Sequence, residues 1–313
     1  MRALIFPGQG SQTLGMGKGL ADTFPAARAV FEEVDDALGE KLSAVMWEGP
    51  AETLNLTANA QPALMAASLA ALRVLEAEAG LDLKRDVALV AGHSLGEYSA
   101  LAAAGAFSIA DTARLLRLRG ESMQKAVPVG TGAMAALLKL DSEAVHEIAR
   151  QAAEGEVCDV ANDNGAGQIV VSGHKAAVER AVALAQGKGG RGMMLTVSAP
   201  FHCALMAPAA EVMKEALAAT RIEAPAVPVV ANVEAAPLSD PNAIRDALVR
   251  QVVGTVRWRE SVEAMAGRGV DTFVEVGAGK VLTGLVKRIA AGSRAGAFGQ
   301  PADLDGIRPF LGA

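Results

Sequence analysis

Val87-Ala88-Leu89-Val90-Ala91-Gly92-His93-Ser94-Leu95-Gly96 is the stretch from which the fold can be read. Residues 87–91 form an unbroken apolar run, lacking the alternation of a half-exposed strand. Such a run predicts a central strand covered on both faces. Residues 95–104 then predict a helix. Between strand and helix, Gly92-His93-Ser94-Leu95-Gly96 matches G-x-S-x-G, the pattern of a nucleophile elbow. The glycines permit a sharp bend where a Cβ would clash, and the serine is held open at the helix start. Main-chain N–H groups there point at any oxyanion that develops. A chance pentapeptide in a glycine-rich chain is the alternative; the flanking strand and helix favour the functional reading.

The same succession recurs on either side. Residues 2–6 predict a strand running into the turn Pro7-Gly8-Gln9-Gly10-Ser11, and helices are expected at 19–39, 60–80 and 110–126. Repeated strand, turn and helix imply a parallel sheet with helices on both sides. After Pro128 the order changes. Strand 133–140, helix 142–153, strands 157–162 and 168–172, helix 175–186 and strand 193–197 give β-α-β-β-α-β, the ferredoxin-like signature. Residues 129–198 are therefore expected to be a small α+β subdomain inserted into a larger α/β domain of residues 1–128 and 199–313. The larger unit resumes with helices at 204–218, 241–252 and 259–266 and strands at 227–231 and 272–276. The tail after Ala290 is rich in Gly and Ala, and no element is assigned to it.

Composition narrows the function. The 313 residues are 51% hydrophobic, enough for a large core, and the net charge of -6 contains no long run of one sign. A nucleic-acid footprint or a basic stripe for an anionic membrane is not expected. No stretch reaches the roughly 20 apolar residues of a membrane span. Cys158 and Cys203 cannot form a disulfide framework and fit a reducing, cytoplasmic setting. No zinc-like ligand spacing appears.

A serine needs a base. Of the four histidines, His93 sits on the tight turn itself, His146 lies in a helix among Val145, Glu147 and Arg150, and His174 stands at a helix start. His202, in the rigid loop Ser198-Ala199-Pro200-Phe201-His202-Cys203, is the best-placed base by elimination. Cys203 as nucleophile lacks a comparable scaffold. Gly8-Gln9-Gly10 is neither a dinucleotide fingerprint nor a P-loop; it reads equally as a ligand-approaching backbone or an ordinary turn. Arg117 and Arg119 stand about 200° apart on one helix, so only one can readily face inward. On that ground alone both read as solvated, although a buried guanidinium would suit a carboxylate.

These motifs together resemble the malonyl-CoA:acyl carrier protein transacylase family. The shared motifs are Gly8-Gln9-Gly10, Gly92-His93-Ser94-Leu95-Gly96-Glu97, Arg119-Gly120, Gly130-Thr131-Gly132-Ala133-Met134, Pro200-Phe201-His202 and Glu275-Val276-Gly277. The resemblance spans nearly the whole chain. It implies an α/β, hydrolase-like parallel-sheet domain with an inserted ferredoxin-like α+β subdomain. It further implies that Ser94 carries the acyl group, His202 is the base and the Gln251 carbonyl holds that histidine. The N–H groups of Gln9 and Leu95 would form the oxyanion hole, Arg119 would clamp the malonate carboxylate, and Asn162 would also meet the substrate. Malonyl-CoA and acyl carrier protein are the implied partners, with no cofactor beyond the coenzyme A of the substrate, and a cytoplasmic monomer is expected. Asp163, Ala166 and Ala278 depart from the usual pattern, and Asp163 is expected to affect how its loop meets the substrate.

Two rival readings share some of these features. A serine esterase would need an acid between serine and histidine, from Asp111, Asp141, Asp159 or Asp163, and gives Arg119 no task. A non-catalytic carrier-docking module would leave Ser94 and His202 without one.

Overall fold

The protein is described by a computed structural model covering residues 1–165 and 167–311; the departure at Ala166 lies outside the described residues. Strand β1 (Arg2–Phe6) leads into helices α1 (Lys18–Thr23), α2 (Pro25–Leu38), α3 (Leu42–Glu48), α4 (Ala51–Asn55), α5 (Thr57–Ala79) and α6 (Leu83–Asp86). Strand β2 (Leu89–Gly92) follows, then α7 (Leu95–Ala103) and α8 (Ile109–Lys125). The next block is β3 (Gly132–Leu138), α9 (Ser142–Ala153), β4 (Cys158–Asp163), β5 (Gln168–His174), α10 (Lys175–Gly187) and β6 (Arg191–Met194). The chain continues through α11 (Ala207–Ala219), β7 (Val229–Ala231), β8 (Ala236–Leu238), α12 (Pro241–Gln251), α13 (Trp258–Gly267) and β9 (Thr272–Val276). It ends with α14 (Val281–Ile289), β10 (Arg294–Phe298) and α15 (Leu304–Leu311).

Two sheets organise these elements. The first has six strands in the order β10-β9-β1-β2-β7-β8, parallel except for the β7–β8 pair. Its two faces feed two cores. Leu4, Phe6 and Val90 point into the core shared with α2, α5, α7 and α8. Ala3, Ile5, Leu89 and Ala91 point into the other, against Trp258, Val262 and Met265 of α13 and Leu282 and Leu285 of α14. Double coverage is why the central strands read as unbroken apolar runs.

The second sheet is antiparallel, ordered β4-β5-β3-β6. Ala135, Leu137 and Val171 face Val145, Ile148, Ala177 and Val178 of α9 and α10. Met134, Ala136 and Val170, on its opposite face, join the main core beside Ala199 and Phe201. That face therefore forms one wall beside the large sheet instead of meeting solvent.

Several expectations change in detail. The helix expected over 19–39 is broken at Phe24, where Pro25 opens a new helix at its first position. The helix expected over 60–80 begins earlier, at Thr57, with Pro62 tolerated near its start. The strand expected over 193–197 is β6, Arg191–Met194; the following Leu195, Thr196 and Val197 line a cleft instead. The tail after Ala290 carries edge strand β10, Arg-Ala-Gly-Ala-Phe, which pairs in parallel with β9. Its small residues have little β-propensity, so burial against α15 and pairing with β9 decide the conformation.

The elbow depends on close backbone approach. A Cβ at Gly92 would fall 1.8 Å from the Gly96 carbonyl oxygen, and one at Gly96 would fall 2.3 Å from the Phe6 carbonyl oxygen. Both contacts are with backbone, which cannot swing aside. Gly96→Ala should therefore cost at least about 1–3 kcal/mol, the usual range for an overpacked core. Gly284→Ala, on α14 with open space around it, should be neutral or stabilise by up to about 1 kcal/mol through helix propensity. Urea denaturation of both variants checks this; equal midpoints would contradict the close-approach argument.

Candidate active site

Ser94 sits between the two glycines with φ 53 and ψ -111, outside the ordinary wells for a residue with a Cβ. This backbone aims its Oγ away from the sheet. His202 comes from the loop after β6 and also has positive φ, at 58. Its approach is set by packing: Pro200 lies so close to Gly132 that a Cβ there would stand 2.2 Å from the proline ring. His202 Nε2 lies 2.7 Å from Ser94 Oγ. Its Nδ1 lies 2.9 Å from the main-chain carbonyl oxygen of Gln251, at the end of α12. A carbonyl can only accept, so Nδ1 carries the proton and Nε2 is free to accept one from the serine. Burial, reinforced by the cation of Arg119, pushes the His202 pKa down to about 3. The ring is therefore neutral near pH 7.

Arg119 is the inward-facing arginine of α8 and is buried. Gly120 makes this possible, because a Cβ there would meet the α5 backbone at Thr57 and Ala58 at 2.6 Å. The two helices are thus close enough for Arg119 Nη1 to donate to Gln61 Oε1 at 2.7 Å. Nη2 donates to Gln251 Oε1 at 2.9 Å and to Ser94 Oγ at 3.2 Å. The guanidinium also stands 5.7 Å from the centre of the Tyr98 ring. Its Nε has no hydrogen-bond partner among the described residues. Arg117 turns outward to pair with Glu40.

These groups open into a cleft of about 310 Å³ lined by Gln9, His93, Ser94, Met134, Asn162, Phe201 and His202, among others. The glycine turn after β1 reaches the cleft because Gly8 packs on the elbow; a Cβ there would lie 2.6 Å from the His93 carbonyl oxygen. The Gln9 and Leu95 N–H groups have no hydrogen-bond acceptor among the described residues. Asn162 stands at a β-bulge of β4, with its side chain on the cleft.

The remaining candidates lie elsewhere or do other work. His93 is half-buried, its Nε2 2.8 Å from Asn164 Oδ1 and its ring tilted against Trp258. His146 is exposed, and His174 Nδ1 accepts the Val157 N–H. Cys203 is buried, and desolvation pushes its thiol up to about 11, so it is no thiolate near pH 7. Asp163 is buried and pairs with Arg259 at 3.0 Å, which ties β4 to α13; it does not line the cleft. None of the aspartates weighed as an esterase acid meets His202. Asp111 accepts from the Ser108 hydroxyl in the first turn of α8, Asp141 caps α9, Asp159 accepts from the Ala204 N–H, and Asp163 faces Arg259. Among the described residues no group of three His, Cys, Asp or Glu is arranged to hold a metal, and no helix is long and apolar enough to cross a membrane.

Three buried residues at the site were given no role by the sequence reading. Gln61 is the amide that meets Arg119. Asn232 follows β7, and Glu97 lies in the first turn of α7. Glu97 Oε2 accepts from the Asn232 N–H at 2.9 Å and from Gln251 Nε2 at 2.8 Å. Burial pushes the Glu97 carboxyl up to about 7. The signal for Asn232 was its place after an apolar strand, at the carboxyl edge where open sheets bind ligands.

Comparison with known proteins agrees with this geometry. The family described as "Acyl transferase domain" matches residues 3–296. The malonyl CoA-acyl carrier protein transacylase of Escherichia coli (strain K12) is 49% identical over 303 residues, covering 96% of this chain and 97% of that one. The crystal structure of acyl-carrier-protein-S-malonyltransferase from Bartonella henselae superposes with a TM-score of 0.97 at 56% identity, covering 100% and 99% of the two chains. A malonyl-transacylase in complex with a type II polyketide synthase acyl-carrier protein superposes with a TM-score of 0.94 at 44% identity, covering 98% and 99%. With a family match across most of its length and relatives this close, the chain belongs to the acyl transferase domain family.

Proposed function

We propose that the protein transfers a malonyl group from malonyl-CoA to the phosphopantetheine thiol of acyl carrier protein, for fatty-acid or polyketide assembly, through an acyl-Ser94 ester. The observation that carries this is a neutral imidazole 2.7 Å from a serine Oγ, with a buried arginine on the same Oγ. Proteins named for this activity are nearly half identical to the chain over almost its full length.

In the first half-reaction His202 Nε2 takes the Ser94 proton as Oγ attacks the thioester carbonyl carbon. The tetrahedral oxyanion is held by the Gln9 and Leu95 N–H groups, each such donor being typically worth about 3 kcal/mol of barrier. The C–S bond breaks, coenzyme A leaves as the thiol with the proton from His202, and malonyl-Ser94 remains. In the second, His202 takes the proton of the carrier thiol, sulfur attacks the ester, and Ser94 regains its proton. The Gln251 carbonyl keeps the imidazole in the required tautomer throughout. Arg119 exchanges its contacts with Ser94 and Gln251 for the free carboxylate of malonate, and Asn162 borders the acyl chain from β4.

We read residues 129–198 as a ferredoxin-like subdomain inserted in a hydrolase-like domain of residues 1–128 and 199–313. The order β4-β5-β3-β6 and the helices α9 and α10 on one face support that reading. A cytoplasmic monomer without a further cofactor completes it. The esterase alternative is disfavoured by the carbonyl, in place of a carboxylate, behind His202.

Brief mixing with malonyl-CoA followed by intact-mass measurement should show one malonyl adduct on Ser94, discharged by a thiol acceptor and absent from Ser94→Ala. No adduct on the wild-type chain would end the proposal. Arg119→Ala should slow malonyl loading by about 10- to 100-fold, the usual worth of a hydrogen bond to a charged group, while acetyl loading does not fall. Equal losses for both acyl groups would remove the clamp role. The His202 ring proton signals should not titrate between about pH 5 and 8, because burial holds the imidazole neutral down to about 3. Loading should therefore show no limb near the ordinary histidine value; an NMR midpoint near 6.5 would contradict the buried, neutral base.

A further inference from the structure

Pairing of β2 with β7 stops at Ala91 and Val230, because the β2 backbone then bends into the elbow. Past that point the side chain of Asn232 replaces the missing strand partner. Its Nδ2 donates to the Gly92 carbonyl oxygen at 2.7 Å, and its Oδ1 accepts the Ser94 N–H at 2.8 Å. One planar amide thus brackets His93 and holds both ends of the strained turn. Asn232 is fully buried, so its own amide atoms are kept from solvent.

The amide is itself held. The Asn232 N–H, also beyond the strand ladder, donates to Glu97 Oε2, and the same oxygen accepts from Gln251 Nε2. Gln251 Nε2 also donates to the Ser94 carbonyl oxygen at 3.0 Å, while the Gln251 main chain fixes His202. Hydrogen bonds therefore run in a closed loop from Ser94 through Asn232, Glu97, Gln251 and His202 back to Ser94 Oγ. A carboxylate suits the central position because it only accepts, and two donors converge there.

We infer that Asn232 and Glu97 are positioning residues of the transfer reaction: Asn232 sets the Ser94 turn, and Glu97 locks that clamp to the residue that holds the base. This rests on Ser94 being the acylated group. Neither residue lines the cleft, so both act through Ser94 and His202.

The test is single-turnover loading of Ser94 from malonyl-CoA and from acetyl-CoA, with rate constant and amplitude read separately. Asn232→Ala should lower the rate constant about 10²-fold for both donors, as expected when a reacting atom shifts by about an ångström, with the KM for malonyl-CoA unchanged. A purely structural role would reduce the amplitude, through loss of folded protein, and leave the rate constant of the remaining molecules alone. Glu97→Ala should give a similar loss, and Glu97→Gln, whose Oε1 can accept both bonds, should restore most of it. The double variant Asn232→Ala/Glu97→Ala should be no slower than the worse single one. If Asn232→Ala does not fold, the Glu97→Ala and Glu97→Gln pair carries the test. A normal rate constant in Asn232→Ala, or additive losses in the double variant, overturns the inference. Failure of wild-type loading would instead overturn the function beneath it.

Discussion

A strained turn at Ser94 is the constraint around which the rest is built. Holding a residue with a Cβ at φ 53 and ψ -111 costs on the order of 1–3 kcal/mol and persists only where the surroundings overdetermine it. Here they do so from three sides. Gly92 and Gly96 allow the backbone to fold back on itself and on Phe6, both faces of β2 are buried, and the Asn232 amide grips the turn. The doubly covered parallel sheet is thus the anvil against which a reactive side chain is held out of its preferred conformation. The strain fixes Oγ at the sheet's carboxyl edge, where the loops from β1, β6 and α12 converge.

A second constraint is charge. Arg119 and Glu97 are both buried, and each would be costly alone. They are joined through one amide: Gln251 accepts from the guanidinium and donates to the carboxylate. The Arg119 partners Gln61, Gln251 and Ser94 are all uncharged acceptors, so a substrate carboxylate would face little competition for the cation.

The elbow was legible because its demands are local. Glycine spacing, an apolar run and a following helix all lie within a few residues of Ser94. His202 was reached by elimination and from its rigid loop, whereas Gln251 and the inward turn of Arg119 entered only through family resemblance. The reason is physical. Arg119 faces inward because Gly120 lets α8 approach α5, a fact about two helices distant in sequence. Asn232 and Glu97 were given no role because their chemistry depends on where the β2–β7 ladder ends, and a place after an apolar strand does not by itself give that point. Strand β10 was invisible for a related reason, since a run of Arg, Ala, Gly, Ala and Phe becomes a strand only because β9 offers it an edge.

On the proposed reading His202 is the base, and it differs from the base of a serine–histidine–aspartate site in a way that bears on substrate choice. Behind His202 is a carbonyl, whose dipole stabilises an imidazolium less than a carboxylate would. Arg119 opposes protonation further, and burial opposes it most. The free site therefore resists the very proton transfer that loading requires. On the proposed reading, a malonate carboxylate on Arg119 cancels the cation's field at the moment the thioester arrives, and the imidazole becomes a better proton acceptor. An acyl group without a carboxylate leaves that field in place. One arginine can thus act twice, by binding the correct acyl group and by holding the base in check until that group is present.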